Sequence, residues 1–207
     1  MKLYYSPGAC SLSPHIVLRE SGLTFELLRV DLKIKKTTLG GDFSVVNPIG
    51  NVPALQLDDG QVLTEGPAIV QYIGDKVPEK NLVPLAGSME RYRLLEILNF
   101  IASELHKNFG AWGWNALDNP AVPEHWKLAS KEMLAKRLSR AAALLEGKSF
   151  LLGDNFSVAD AYLYTVLNWT KHFKIDLSPW PVFAPYQSTI SARPTVQAAL
   201  KAEGLIG

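Results

Sequence analysis

Short apolar runs alternate with helical periods over roughly the first third of the chain, and helical periods alone fill the rest. Lys2–Tyr5 is a short apolar run that predicts a strand and ends in the turn cluster Ser6-Pro7-Gly8-Ala9. A helix is expected near Ser11–Ser21, with Pro14 in its first turn, where a missing N–H costs nothing, and Gly22 as its C-terminal stop. Phe25–Val30 predicts a second strand, parallel to the first because a helix separates them. The polar stretch from Lys33 to Asp42 leads into Phe43-Ser44-Val45-Val46, a possible short helix. Val52–Leu57 and Gln61–Thr64 flank Asp58-Asp59-Gly60 as a hairpin. Ala68, Ile69, Tyr72, Ile73 and Val77 then mark one face of a helix.

The order β-α-β-(α)-β-β-α makes residues 1–77 an α/β unit with a four-stranded mixed sheet, the thioredoxin-like arrangement. Residues 78–87, with two prolines and a glycine, read as a linker. Residues 88–207 read as an all-α domain. Ser88 caps a long helix whose apolar positions include Leu94, Leu98, Ile101 and Leu105, and Phe109–Asn115 is expected to break it. A second helix is expected from Pro123 to Glu146. A third starts at Ser157, which forms a capping box with Asp160 and fixes a buried helix over Ala161–Trp169. Pro181–Glu203 gives one or two short helices.

Composition narrows the class. The 207 residues are 47% hydrophobic and 20% charged, and the net charge is +1. That balance supplies a core and points neither to nucleic acid nor to an anionic membrane. Lys33, Lys35 and Lys36 are the densest basic cluster and read as solvated surface. One cysteine excludes an intramolecular disulfide and any zinc site needing two thiolates, and it fits a reducing compartment. No apolar run reaches the length of a bilayer span, and Met1–Gly8 is too broken for a signal sequence. A cytoplasmic location is expected.

The chemistry gathers at three element ends. Cys10 lies between a strand and a helix start, where the helix field would favour its thiolate; a small buried hydrophobe is the competing reading. The C-x-x-C position three residues on holds Ser13, so the site could form only a mixed disulfide or hold an external sulfur. Val52-Pro53 opens a strand, and a cis peptide there would turn the Val52 backbone toward an extended peptide ligand. Glu65-Gly66-Pro67 starts a helix whose N–H groups suit a carboxylate, while Glu65 could pair with an ammonium. In a thioredoxin-like sheet these places share one edge. A ligand with a thiol, peptide bonds and an α-amino acid end would span them, and glutathione has those parts. Asn99, Ser103 and His106 form a polar stripe on the long helix, and His106 could exchange a proton with a thiol. His15, His125 and His172 share no spacing, and neither a metal site nor a phosphate loop stands out.

Over essentially its whole length the chain resembles the beta-class glutathione transferases of bacteria. The resemblance rests on Tyr5-Ser6-Pro7-Gly8-Ala9-Cys10-Ser11, Asn47-Pro48-Ile49-Gly50-Asn51-Val52-Pro53 and Leu63-Thr64-Glu65-Gly66-Pro67. Ser103-Glu104-Leu105-His106-Lys107 and Phe156–Leu163 carry it in the helical half. It implies conjugation of the glutathione thiolate to hydrophobic electrophiles, with peroxidase or thiol-transferase side activity, in a cytoplasmic homodimer of detoxification. Glutathione is then the co-substrate, and no further cofactor or metal is implied. Cys10 would meet the glutathione sulfur, with Ser11 and His106 as alternative donors to it. Val52 and Pro53 would hold the cysteinyl part, Glu65 and Gly66 the γ-glutamyl end, and Lys35 the glycyl end. Asn99, Ser103 and Glu104 would lie close by, some reaching a ligand across the dimer. Phe109, Trp112 and Trp114, with Trp169, suggest by their aromatic clustering a flat apolar electrophile pocket, and core packing is the competing reading. Two other readings are a thiol-disulfide oxidoreductase that cycles Cys10 and a non-catalytic scaffold on the same fold.

Overall fold

A computed structural model of the chain describes residues 1–207, apart from the side chains of Ala111, Trp112 and Ala116. β1 (Lys2–Tyr5), α1 (Leu12–Ser21) and β2 (Glu26–Asp31) form the expected crossover, and β1 pairs with β2 in parallel. Gly22 ends α1 in the left-handed region, at φ 74°, a conformation that glycine adopts without steric cost. β4 (Ala54–Gln56) runs antiparallel to β1, and β5 (Val62–Thr64) closes the hairpin. α2 (Phe43–Val46) and α3 (Gly66–Asp75) complete the N-terminal part.

The sheet has five strands, in the order β3-β2-β1-β4-β5, rather than the expected four. The extra strand, β3 (Lys36–Thr37), lies in the polar stretch and pairs antiparallel with the end of β2. Two residues are too few to show a hydrophobic alternation. Alternation does govern β1: Leu3 and Tyr5 join the main core, while Tyr4 packs with Val30, Phe43, Val52 and Ala54 on the other face.

After a 3-10 turn at Pro78–Lys80, Ser88 caps α4 (Met89–Asn99) by accepting the Arg91 N–H. The expected break at Phe109–Asn115 is absent. The helix widens into a π-helical stretch at Phe100–His106, returns to α5 (Lys107–Phe109), and widens again over Gly110–Leu117. A glycine lowers helix propensity by only about 1 kcal/mol, and proline does not follow until Pro120. Gly113 serves packing, since a Cβ there would come within 2.4 Å of the Phe173 ring.

α6 (Glu124–Leu145), α7 (Val158–His172), α8 (Phe183–Ser191) and α9 (Pro194–Ala202) follow. α7 is the buried spine. α1 packs against α3, α7 and α9, so one apolar cluster runs from Leu3 through Ile16 and Leu163 to Leu200. The expected capping box forms: the Ser157 N–H and hydroxyl both donate to Asp160, at 2.8 Å. Arg91 fastens the two halves with a bidentate ion pair to Asp75, at 2.8 and 2.6 Å.

Candidate functional site

The loop between β1 and α1 is held from three sides. The Ser11 hydroxyl accepts the Ser6 N–H and donates to the Ser6 carbonyl, which closes the loop on itself. Gly8, at φ 70°, is clamped by the helical half: its N–H donates to Glu203 at 2.9 Å, and its carbonyl accepts the Trp169 indole N–H at 2.8 Å. Cys10 is thereby set with its Sγ 3.1 Å from the Val52 carbonyl oxygen, to which its S–H donates.

Two sequence expectations change here. Burial pushes the Cys10 thiol up to about 11, and the Glu65 carboxylate adds to the rise. The Cys10 and Ser11 backbone N–H groups pull the other way without prevailing. Desolvation outweighs the helix start, so Cys10 is a protonated thiol at neutral pH rather than the thiolate expected from position. Ser11 is corrected as well. Its hydroxyl is fully buried and committed to Ser6, so it has no surface to offer a ligand sulfur. What Ser11 turns toward Cys10 is its backbone N–H.

Reactivity follows from that state. Alkylation of Cys10 by iodoacetamide at pH 7.5 is expected to be at least about tenfold slower than that of a free cysteine. The smaller thiolate fraction outweighs the greater nucleophilicity of a more basic sulfur. The rate should climb beyond pH 9; a plateau at the free-cysteine value would contradict the assignment.

The Val52–Pro53 peptide is cis, as expected, and both residues are buried at the start of β4. The loop ahead of it is pinned by Asn47, whose side-chain amide donates to the Asn51 carbonyl and accepts the Ile49 N–H. Lys35 crosses the same loop and donates from Nζ to the Gly50 carbonyl at 2.8 Å. Glu65 stands exposed at the start of α3, with φ 66°. A non-glycine residue in that region carries strain of order 1–3 kcal/mol, and such strain concentrates at ligand clamps. Among the described residues the Glu65 carboxylate has no hydrogen-bond partner. Gly66 and Pro67 open the helix beside it.

His106 arrives from the first π-helical stretch, a winding frequent at functional sites. Its Nδ1 lies 2.8 Å from the Tyr162 hydroxyl, and its ring packs edge-on against Trp169, 4.8 Å between centroids. Burial, with a smaller contribution from Lys107, lowers its pKa to about 4. Tyr162 is buried on α7, and burial raises its phenol, with further upward pressure from Cys10 and Glu65. In the sequence Tyr162 belongs only to the Phe156–Leu163 motif. A tyrosine one turn into a buried helix was the available signal, because a buried phenol needs a polar partner. A neutral His106 makes a simple expectation: its ring proton signals should hold constant in an NMR titration from pH 8 to pH 5.5. The unfolded chain takes up a proton through pH 6.5 and the folded one does not. His106 therefore stabilises the fold above pH 6.5, and that contribution is lost as pH falls toward 4.

Asn99, Ser103 and Glu104 lie together. They line a groove between α4 and α6 with Lys136, Arg137 and Arg140. Ser103 donates to the Asn99 carbonyl at 2.8 Å, and Glu104 pairs with Arg137 at 2.6 Å. The wider winding from Phe100 onward breaks the expected stripe and turns His106 inward, while Asn99 and Ser103 stay exposed.

Next to the Ser6–Ala9 loop lies a cavity of about 730 Å³. Trp114 and Trp169 line it, as expected of an electrophile pocket. Phe109 does not; it is fully buried in the core between Trp169 and Phe173. Trp112 lies outside the described residues. Trp169 therefore touches His106, clamps Gly8 and walls the cavity. Among the described residues no group of His, Cys, Asp and Glu could hold a metal ion, and no helix is long and apolar enough to cross a membrane.

A thioredoxin-like sheet joined to an all-helical half is the arrangement that the comparisons with known proteins share. The family models of the glutathione S-transferase N-terminal and C-terminal domains match residues 1–75 and 100–194. The chain belongs to the glutathione S-transferase family, in its bacterial beta class. It is 46% identical over 205 residues to the glutathione S-transferase GstA of Escherichia coli O157:H7, covering 99% of this chain and 100% of that one. Among solved structures it is similar to a bacterial transferase titled a ternary complex of BphK, with a TM-score of 0.93 and 58% identity over 99% and 100% of the two chains. A sphingomonad glutathione S-transferase solved with glutathione gives a TM-score of 0.91 and 48% identity, with both chains fully covered.

Proposed function

We propose that the chain is a glutathione transferase that lays glutathione along the edge formed by Cys10, Val52 and Glu65. The contact between the Cys10 sulfur and the Val52 carbonyl supports this reading, because a cysteinyl ligand whose sulfur reaches Cys10 would also meet this strand. Val52 and Pro53 receive the cysteinyl backbone. Glu65, with Gly66, takes the γ-glutamyl ammonium and carboxylate, and Lys35 stands over the Gly50 loop for the glycyl carboxylate. Residues 1–77 supply this site. The linker 78–87 leads to residues 88–207, which supply the aromatic cavity for a hydrophobic electrophile.

Chemistry takes place at the ligand's own sulfur. Its proton leaves, the thiolate forms a C–S bond to an electrophilic carbon, and the displaced group departs with the bonding electrons. His106 exchanges that proton. Tyr162 fixes its Nδ1, which leaves Nε2 for the ligand thiol, and neutrality at pH 7 lets the ring act as donor or acceptor. Cys10 serves as a neutral S–H beside that sulfur. A protonated Cys10 weighs against the oxidoreductase cycle, which needs a nucleophilic thiolate there.

The protein acts as a homodimer in the cytoplasm. Asn99 and Ser103 are exposed in a groove of their own, which suits contact with a ligand held by a second copy. The experiment is glutathione-dependent conjugation of 1-chloro-2,4-dinitrobenzene, with sedimentation expected at twice the 22.8 kDa chain mass. Glu65→Gln should raise the KM for glutathione roughly tenfold, the effect of one charge-assisted hydrogen bond, while the melting temperature holds. Turnover that does not depend on Glu65 would sink the assigned ligand orientation.

A further inference from the structure

The aromatic cavity is not uniformly apolar. Leu12, Leu200, Leu205 and Ile206 join the two tryptophans in its wall, but its lining also includes Lys171 and His172 from the last turn of α7. Among the described residues no aspartate or glutamate lines it. The acidic side chain nearest the loop, Glu203, is buried with one oxygen on Gly8 and the other on His15, so its charge is already engaged. Among the described residues, neither Lys171 nor His172 has an acidic partner, and both are exposed. Asn168, one turn earlier on the same helix, adds a neutral polar group to that side.

We infer that this cavity selects aromatic electrophiles carrying an anionic substituent, the ring lying against Trp114 and Trp169 and the anion meeting Lys171 and His172. The inference rests on the transferase reading and specifies its second substrate. Flat apolar surface suits an aromatic ring, and a basic rim free of carboxylates suits a negative group at the ring's far end. The competing role for Lys171 and His172 is to offset the negative end of the α7 dipole. That role is indifferent to what the cavity holds, so a pair of substrates separates the two.

The test compares kcat/KM for 4-chloro-3-nitrobenzoate and 4-chloro-3-nitrobenzamide, each with glutathione, in the wild type and in a Lys171→Met/His172→Gln double variant. The benzamide is the internal reference for fold, glutathione binding and chemistry. The benzoate-to-benzamide ratio should fall about fivefold in the double variant, through the KM for the benzoate, as expected for a solvent-exposed ion pair. In the wild type the same ratio should decline with added salt. A ratio unchanged by substitution and by salt overturns the inference, while turnover of the benzamide leaves the transferase reading intact. No turnover of either substrate overturns both.

Discussion

Asp160→Ala should lower stability by about 4 kcal/mol, among the larger effects a single side chain can have in this fold. Asp160 is fully buried, yet its carboxylate accepts from the Leu151 N–H, the Ser157 N–H, the Ser157 hydroxyl and the Tyr186 hydroxyl. Truncation strands these donors in the core together, and each buried unpaired polar group costs about 1–3 kcal/mol. Partial relaxation keeps the total below the simple sum. In a chain of this size about 4 kcal/mol corresponds to a fall in melting temperature of roughly 10 °C, readable by calorimetry. Asp160→Asn should fall between, since its oxygen still accepts while its amide faces donors. A loss under 2 °C for the alanine variant would show that the start of α7 does not depend on this carboxylate.

The importance of Asp160 was legible because a capping box is local: three residues separate its ends, and both lie in one turn. The same holds for β1, the hairpin and the cis Val52–Pro53, each announced by neighbouring residues. The family motifs assembled Cys10, Val52, Glu65 and His106 as candidates. The state of those groups was not legible, because it is set by packing across long separations. The rise of the Cys10 thiol comes from being covered, and its S–H partner, Val52, lies 42 residues away. The partner of His106 lies 56 residues away. Ser11 looked available because sequence shows a hydroxyl beside a cysteine, not the Ser6 backbone folded over it. β3 is not legible in the sequence because two residues carry no period. The helix past Phe109 is not legible because Gly110 and Gly113 read as a stop, whereas Gly113 makes room for Phe173.

Replacing Glu203 should disturb both stability and glutathione use, although it lies near the far end of the chain from Cys10. Glu203 is buried and spans two donors, Gly8 N–H at 2.9 Å and His15 Nδ1 at 2.8 Å. Arg19 donates to His15 Nε2 at 2.9 Å, and arginine can only donate. His15 Nδ1 therefore carries a proton and must find an acceptor. Glu203→Ala leaves two buried donors unpaired, and the expected loss is about 3 kcal/mol. Glu203→Gln keeps the shape but offers one accepting oxygen, so about half that loss should appear. His15 cannot adapt by changing tautomer without losing Arg19. The kinetic signature separates this tie from a merely structural one. Gly8 is also held by Trp169, so releasing its N–H lets the Ser6–Cys10 loop pivot about the remaining contact. Cys10 then shifts against Val52, and the KM for glutathione should rise severalfold at temperatures where the variant is still folded. Glu203→Gln should show a smaller rise of the same kind. A variant that melts early but keeps the wild-type KM at 15 °C would confine Glu203 to stability and leave the loop positioned by Ser11 and Trp169 alone.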